Sequence, residues 1–507
     1  MSHSLSTRRS LAVLVVALAA ACPLPAVAQE AEGAKPKAEA EGSRPAFDPS
    51  AYWMLTETYR PTRDKDRPAP PGSIGQYRVD FRETTRITGD SPGGAPTLSQ
   101  TVVEGRYFEL PDEVEDIDDR VLSVVRRYGF LRHSDDPKTT PKPLPGMAGA
   151  TFWIRHRPEV RPLVISLDPS KDFRFDSYHL IAAQVYPPDL ALLLPRGAVR
   201  VGETYDLSRE GSVALVGSLS WLGIENQKLQ GKVVEIRPGA AGKPWKATID
   251  LVGDETKAGI HAGLTFAFEP PAADELAKAG GKEDNGARIY ARGAIVEVRM
   301  TTEMVTRRGN SRLFDKAHRE LILLRSLTDT GDPIKLPEPT PEPNPANSWL
   351  TFIDPKNRYH LRIPQSLIYE HRMSTDDTAV FWHPTPDGNG REDLSIQCGT
   401  GTVLAPRDML ESALAQIRSD GFDVKVSPPG PPRTWSDFRV DVRQARIHDP
   451  HTIKNDDADT YLGYAIRGPG NLVILACART PEPNAAEFRA LVESILKTIL
   501  PGAPKDR

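Results

Sequence analysis

The chain is poor in the features that usually announce an activity. It has only 3 cysteines, and no apolar run reaches the ~20 residues that a membrane-spanning helix requires. No G-x-S-x-G nucleophile elbow occurs; the nearest segment, Gly217-Ser218-Leu219-Ser220-Trp221, lacks the second glycine that lets the backbone turn and expose a hydroxyl. P-loop and dinucleotide G-x-G-x-x-G patterns are missing. His318-Arg319-Glu320 lacks the second histidine of a helical zinc protease motif. Neither sign of charge dominates: 64 Lys+Arg stand against 68 Asp+Glu, a formal net charge of −4. That balance gives no electrostatic footprint for nucleic acid, which needs a basic excess or a basic face. What the chain does have is length: 507 residues with 39% apolar content are enough to bury a substantial core and to form more than one domain.

Residues 1–28 read as an export signal. Arg8 and Arg9 precede the uninterrupted apolar run Leu11 to Ala21, and Ala26-Val27-Ala28 places small residues where a signal peptidase accepts them. Cleavage then starts the mature protein at Gln29, in the periplasm or outside the cell, with no transmembrane span left. A rival reading places the cut before Cys22, within Leu18-Ala19-Ala20-Ala21-Cys22, and makes the protein a lipoprotein. Ala19, where leucine is preferred, and Pro23 directly after the cysteine weigh against that cut.

Either cut leaves Cys398 and Cys477 inside the folded protein, both in strand-like runs. In an oxidising compartment two such thiols often pair, and a bridge between them would remove about 4.5 kcal/mol of unfolded-chain entropy. The other reading is two buried thiols that pack as small hydrophobes.

Composition divides the chain. Residues 29–50, rich in Ala, Glu, Lys, Gly and Pro, read as a disordered spacer. Residues 331–347 carry Pro333, Pro337, Pro339, Pro341, Pro343 and Pro345, which favour extended polyproline and make a stiff linker. Two bodies flank it, 51–330 and 348–501, and 502–507 form a tail.

The first body is dominated by alternation of apolar and polar residues. Tyr77, Val79 and Phe81, then Trp245, Ala247, Ile249 and Leu251, then Leu264, Phe266 and Phe268 each put one face inward and one outward, as in antiparallel sheets. Gly309-Asn310 reads as a hairpin turn between strands. One short helix is expected around His179 to Val185, ending at Pro187-Pro188, and Ala272 to Gly286 reads as a charged surface insertion. Val199-Arg200-Val201-Gly202-Glu203-Thr204-Tyr205 resembles a segment of exported bacterial β-rich domains of unknown function, which implies at most an envelope β-domain.

In the second body, strands are expected at Phe352–Asp354, Tyr359–Pro364, Ala379–Trp382, Leu394–Cys398, Phe422–Val426, Thr434–Arg443, Thr460–Arg467 and Leu472–Ala478. A helix is expected over Arg407–Ser419, with Met409, Leu410, Ala413, Leu414 and Ile417 on one face. A last helix starts at Asn484, where Glu487 completes a capping-box pattern; its apolar positions are Phe488, Leu491, Val492, Ile495, Leu496 and Ile499. This order, with Phe352, Asp354-Pro355, Tyr359 and Ile363-Pro364 at its opening and Phe488 to Ile495 at its close, resembles the PsbP-like family. The resemblance implies an α/β/α sandwich with an antiparallel sheet and a mostly non-enzymatic role on a protein partner. The expected class is thus α+β, a large antiparallel β-rich N-terminal domain followed by this smaller sandwich.

For chemistry the sequence offers one polar cluster. His448-Asp449-Pro450-His451, followed by Asn455, Asp456, Asp457 and Asp459, holds residue types that bind a divalent metal, with His448, His451 and Asp456 as candidate ligands. A solvated hairpin loop explains the same run without a metal. His156, His179 and His383 adjoin aromatic or apolar residues and read as packed or sheet-surface histidines. Trp349, Trp382 and Trp435 suit either a recognition surface or the core. The expectation is an exported, non-enzymatic binding or scaffold protein without cofactor, its partner an envelope protein or polymer. The alternatives are a hydrolase with dispersed acids or a metal, and a carrier of an apolar ligand in the curved first sheet.

Overall fold

In the computed structural model the described residues are 51–57, 76–89, 97–109, 123–134, 140–156, 161–168, 171, 173–182, 184–216, 228–240, 242–253, 258–272, 276, 288–307, 314–326, 341–370, 373–385, 391–400, 405–448 and 458–503. The export signal with Cys22, the spacer, the segment Gly217–Trp221, Gly309-Asn310 and most of the 272–286 insertion lie outside them. The chain is mostly antiparallel β-structure and forms two compact units. The second unit contains Glu342–Arg507 together with Pro169–Tyr178; the first contains Met1–Asp168 and His179–Pro341. Alternation assigned all of 51–330 to the first body, so the excursion at 169–178 is a departure from that division.

The first unit holds β1 (Tyr52–Glu57), β2 (Gln76–Gly89), β3 (Thr97–Glu109), β4 (Ser123–Ser134), β5 (Lys142–Pro143), β6 (Thr151–Arg155) and β7 (Leu163–Ser166). Helix α1 (Phe175–Ala182) follows, and the boundary between the units falls within it. Then come β8 (Thr204–Asp206), α2 (Arg209–Val216), β9 (Leu229–Arg237), β10 (Trp245–Gly253), β11 (Ala258–Phe268), β12 (Arg288–Arg307) and β13 (Phe314–Ser326). One 13-stranded sheet runs in the order β7-β6-β4-β3-β2-β13-β12-β11-β10-β9-β8, with β1 on β12 and β5 on β4. Every strand pairing among the described residues is antiparallel except β1 with β12. The flanks of the expected hairpin do pair, Arg307 opposite Phe314.

The helix near His179 begins earlier than expected, at Phe175. Pro187-Pro188 opens a 3₁₀ helix (Pro187–Leu193) instead of ending a segment, because a first-turn proline gives up only an N–H that would have no helical partner.

Alternation sets the core of this unit. Ala247, Ile249 and Leu251 are fully buried while Lys246, Asp250 and Val252 face outward. On β11 the inward row Ile260, Ala262 and Leu264 continues through Phe266 and Phe268 across a register shift at Thr265/Phe266. Trp53 of β1 seals one end, its ring 5.9 Å from Phe268 and 6.2 Å from Trp245; such pairs add about 0.5–1.5 kcal/mol each beyond their burial. The same interior holds an ion pair: Arg325 donates to Glu57 at 2.9 Å, and the other Glu57 oxygen accepts the Ile295 amide at 3.3 Å. Gly293, beside this pair, has no room for a side chain, since a Cβ would lie 1.9 Å from the Ala267 carbonyl oxygen.

The second unit contains β14 (Leu350–Ile353), β15 (Tyr359–Ile363), β16 (Ile368–Tyr369), β17 (Thr378–Pro384), β18 (Arg391–Thr400), α3 (Pro406–Ser419), β19 (Asp423–Val426), β20 (Arg433–Trp435), β21 (Phe438–His448), β22 (Ala458–Arg467), β23 (Leu472–Pro481), α4 (Ala485–Leu496) and β24 (Leu500–Pro501). They form a three-stranded sheet, β14-β15-β24, and an eight-stranded sheet, β16-β17-β18-β23-β22-β21-β19 with β20 on β21. The run expected as one strand over Thr434–Arg443 is two, split by a turn at Ser436, whose φ is 50°.

Strand parity shows which face each helix covers. Leu414 of α3 packs on Ala445, Ile447 and Tyr461, and Leu410 lies over Gly463. Tyr464, of opposite parity on the same strand, reaches Glu493 of α4 at 3.4 Å. So α3 and α4 lie on opposite faces of the eight-stranded sheet. Phe488, Val492, Ile495 and Leu496 of α4 are buried as their spacing predicts, but the capping box does not form: Asn484 has helical φ/ψ and its side chain makes no cap bond. A 3₁₀ turn (Glu482–Asn484) leads directly into the helix, so Asn484 never adopts the extended backbone that capping needs.

The described end of the proline linker also departs from extended polyproline. The Asn344 carbonyl accepts amides of Asn347 and Ser348 at 3.1 and 2.9 Å, and its side chain accepts the Ala346 amide at 2.8 Å, closing a compact turn. Asparagine competes with extended backbone through such local bonds.

Candidate functional site

A concave surface of the first unit lies on the outward face of β10–β13. Two cross-strand rows build it. One runs Lys232, Asp250, Gly263, Arg299 and Ile322; the next runs Gln230, Val252, His261, Thr301 and Glu320. Together they border a cleft of about 460 Å³ over β10–β13. Its floor is low because Gly263, and Gly259 further along β11, meet nothing within 4 Å of a would-be Cβ. Asp250 and Arg299 stand on the strands either side of Gly263, about 10 Å apart at two strand spacings. Val252 is 42% exposed and adds an apolar patch.

Charge along this face is mixed. Arg299 pairs with Glu297 on its own strand. His318 lies 3.5 Å from Glu303 and 3.3 Å from Glu320. The arrangement can present donors, acceptors and both signs of charge to a chain lying across the strands.

The residues singled out from sequence fall elsewhere. His448 is the last residue of β21, half-buried and paired with Ala458 and Asp423, whereas His451, Asn455, Asp456 and Asp457 lie outside the described residues. Asp459 accepts a hydrogen bond from Arg479. Among the described residues no group of three or more His, Cys, Asp or Glu is arranged to hold a metal ion.

The proposed bridge between Cys398 and Cys477 is corrected: both are free thiols. The register explains why. Cys398 stands opposite Ile474, Cys477 opposite Ser395 and Gly463, so the two side chains leave the sheet on opposite faces. Cys477 lies on the α3 face with its sulfur 2.9 Å from the Tyr461 hydroxyl. Burial raises the pKa of both thiols, that of Cys398 to about 11.

His156 stacks on Tyr186 at 4.7 Å and lies 3.3 Å from Asp189; His383 lies 3.3 Å from Glu392. Trp382 lies under Arg391 and Trp435 against Tyr464 and Lys497. The first unit also buries Arg126, which donates to Tyr128 at 2.8 Å and to Gln184 at 2.7 Å. Burial pushes the Tyr128 hydroxyl up in pKa despite that guanidinium.

The sequence signal for the cleft was half present: alternation marks Asp250 as outward-facing, but nothing in one strand's sequence says which residues its neighbours place beside it. No helix among the described residues is long and apolar enough to cross a membrane.

No family model and no curated protein matches the chain. Among solved structures it is similar at 7% identity to a variant of the Rh. blastica porin, covering 80% of this chain and 100% of that one, with a TM-score of 0.12. OmpT of Vibrio cholerae lacking loop L8 matches at 7% identity over 80% and 98% of the two chains, TM-score 0.11. Salmonella typhi OmpF matches at 8% identity over 81% and 98%, TM-score 0.13. Scores this low do not establish a shared fold.

Proposed function

We propose that the protein is an exported, non-enzymatic binding module of the cell envelope, and that the outward face of β10–β13 holds its partner, an envelope protein or polymer. The observation that carries this reading is the cleft. It is shallow and open, floored by glycine and edged by both signs of charge, which suits an extended chain or a folded surface better than an enclosed small molecule. Export rests on the leader at residues 1–28. We further assign the second unit to the PsbP-like α/β/α class, a reading supported by helices on both faces of its antiparallel sheet.

Capture from native envelope tests the proposal. Wild-type protein and two variants, Gly263→Trp, which fills the hollow, and Arg299→Glu, which reverses its charge, serve as bait. The variants are expected to lose the partner that wild type retains; equal capture by all three refutes the site. Mass spectrometry of protein recovered from its native host is expected to show a mature chain beginning at Gln29, and an intact leader refutes export by that route.

A further inference from the structure

Three arginines share one outward face at the start of β12. Strand β1 pairs in parallel with residues 288–293 of β12, and on its other side Trp53 forms an antiparallel bridge with Val199. Trp53, Leu55, Val199, Ile289 and Ala291 are buried, so their neighbours in sequence take the opposite face. Register then sets Arg200, Tyr52 and Arg288 side by side in one row, Met54 and Tyr290 in the next, and Thr56 and Arg292 in a third. The Arg200 guanidinium stacks on the Tyr52 ring at 4.2 Å. Tyr290 is 52% exposed, and Arg288, Arg292 and Thr56 are exposed with it. Backbone positions of Arg200 and Arg288 stand about 10 Å apart across two strand spacings, and those of Arg288 and Arg292 about 13 Å apart along β12.

Among the described residues none of these three guanidiniums pairs with a carboxylate. Two acids stand at the rim and both meet the patch through main chain. Glu203 accepts the Arg200 amide at 2.8 Å, and the Glu269 amide donates to the Arg292 carbonyl at 3.2 Å. Arginines on other strands do find carboxylates, as Arg299 finds Glu297 and Arg479 finds Asp459.

We infer that this face seats the protein on an anionic membrane surface, with lipid phosphates as the groups that Arg200, Arg288 and Arg292 hold. A guanidinium matches phosphate with parallel N–H donors, and a negatively charged bilayer attracts basic side chains close to it. The whole chain carries a formal net charge of −4, so the attraction is local to the patch. The other side chains decide between a bilayer and a soluble polyanion. A dissolved acidic chain needs only the cations, whereas tyrosine, with an apolar ring and a polar tip, suits the boundary between headgroups and acyl chains. The arginines also form a triangle with Met54 and Tyr290 between them, which fits a plane of phosphates better than one extended chain. This seat is separate from the cleft on β10–β13, and either assignment can fail without the other.

The test is sedimentation of full-length protein with vesicles of phosphatidylglycerol and phosphatidylcholine in equal parts, and with vesicles of phosphatidylcholine alone. Binding is expected on the anionic vesicles only, and it is expected to disappear at high salt. The double variant Arg288→Glu with Arg292→Glu is expected to bind about tenfold more weakly or worse, with unchanged circular dichroism because both side chains are exposed. Tyr290→Trp adds a reporter at the contact, and its difference emission against wild type is expected to shift to the blue on anionic vesicles. No binding to those vesicles, equal binding to both kinds, full binding by the double variant, or an unshifted reporter overturns the proposal. Retention on immobilised polyphosphate without vesicle binding also overturns it, because the occupant is then a soluble polyanion.

Discussion

The buried pair Glu57–Arg325 gives the sharpest test of how the first unit is held together. The two side chains are 4% and 1% exposed and meet at 2.9 Å. Replacing Arg325 by Met leaves a carboxylate in the interior without this cation, and breaking a buried pair from one side costs about 3–5 kcal/mol. Replacing both, as Glu57→Leu with Arg325→Met, removes the stranded charge. The Ile295 amide still loses the Glu57 oxygen at 3.3 Å, and an orphaned buried N–H costs about 1–3 kcal/mol. The double variant is therefore expected to be more stable than Arg325→Met alone, by about 2 kcal/mol. Urea unfolding of the full chain followed by circular dichroism measures this. The reasoning is refuted if Arg325→Met costs less than about 1 kcal/mol, or if the double variant costs the sum of the two single ones.

Further outcomes follow from particular contacts. Intact-mass analysis of denatured, unreduced protein should find two alkylatable thiols, with slow labelling in the native state because burial keeps Cys398 and Cys477 protonated; a disulfide-linked peptide joining them would contradict the sheet register. Gly293→Ala forces a Cβ against backbone that cannot rotate away, so a loss of about 3 kcal/mol is expected in thermal or urea unfolding, and a neutral result would mean the bulge at Thr265/Phe266 relaxes. Asn484→Ala should cost less than about 0.5 kcal/mol, well under the ~1 kcal/mol of a working cap, because no cap bond exists to lose. Burial alone would raise the pKa of Glu493, but the guanidiniums of Arg489 and Arg433 outweigh it and the folded value is lowered. Its stabilisation is therefore present above the unfolded carboxylate range and fades as pH falls through the folded value; acid unfolding of Glu493→Gln against wild type should show a gap that closes at low pH.

Much of the strand and helix order was legible because burial imposes a period. Ala247, Ile249 and Leu251 alternate in the sequence and end fully buried, and Phe488, Val492, Ile495 and Leu496 follow the helical repeat onto the sheet. Four things were not legible. A capping box is a local pattern, but the turn before Asn484 fixed its backbone first. The thiols lie in strands that proved to be adjacent, yet only register decides which face each one takes. Phe173 and Phe175 look like any short aromatic pair, because the rings that bury them, Phe352, Tyr369 and Phe381, come from far along the chain. The cleft escaped for the same non-local reason: Asp250, Gly263 and Arg299 are neighbours only once three strands are aligned.

The face of β10–β13 has its backbone hydrogen bonds satisfied on both sides of every strand in the cleft, so recognition there must run through side chains such as Asp250, His261, Arg299 and Glu320. Such contacts discriminate by charge and shape, and their strength falls with salt. A partner held by the cleft is therefore expected to be lost from capture at high ionic strength, and retention at high salt refutes the cleft as its site.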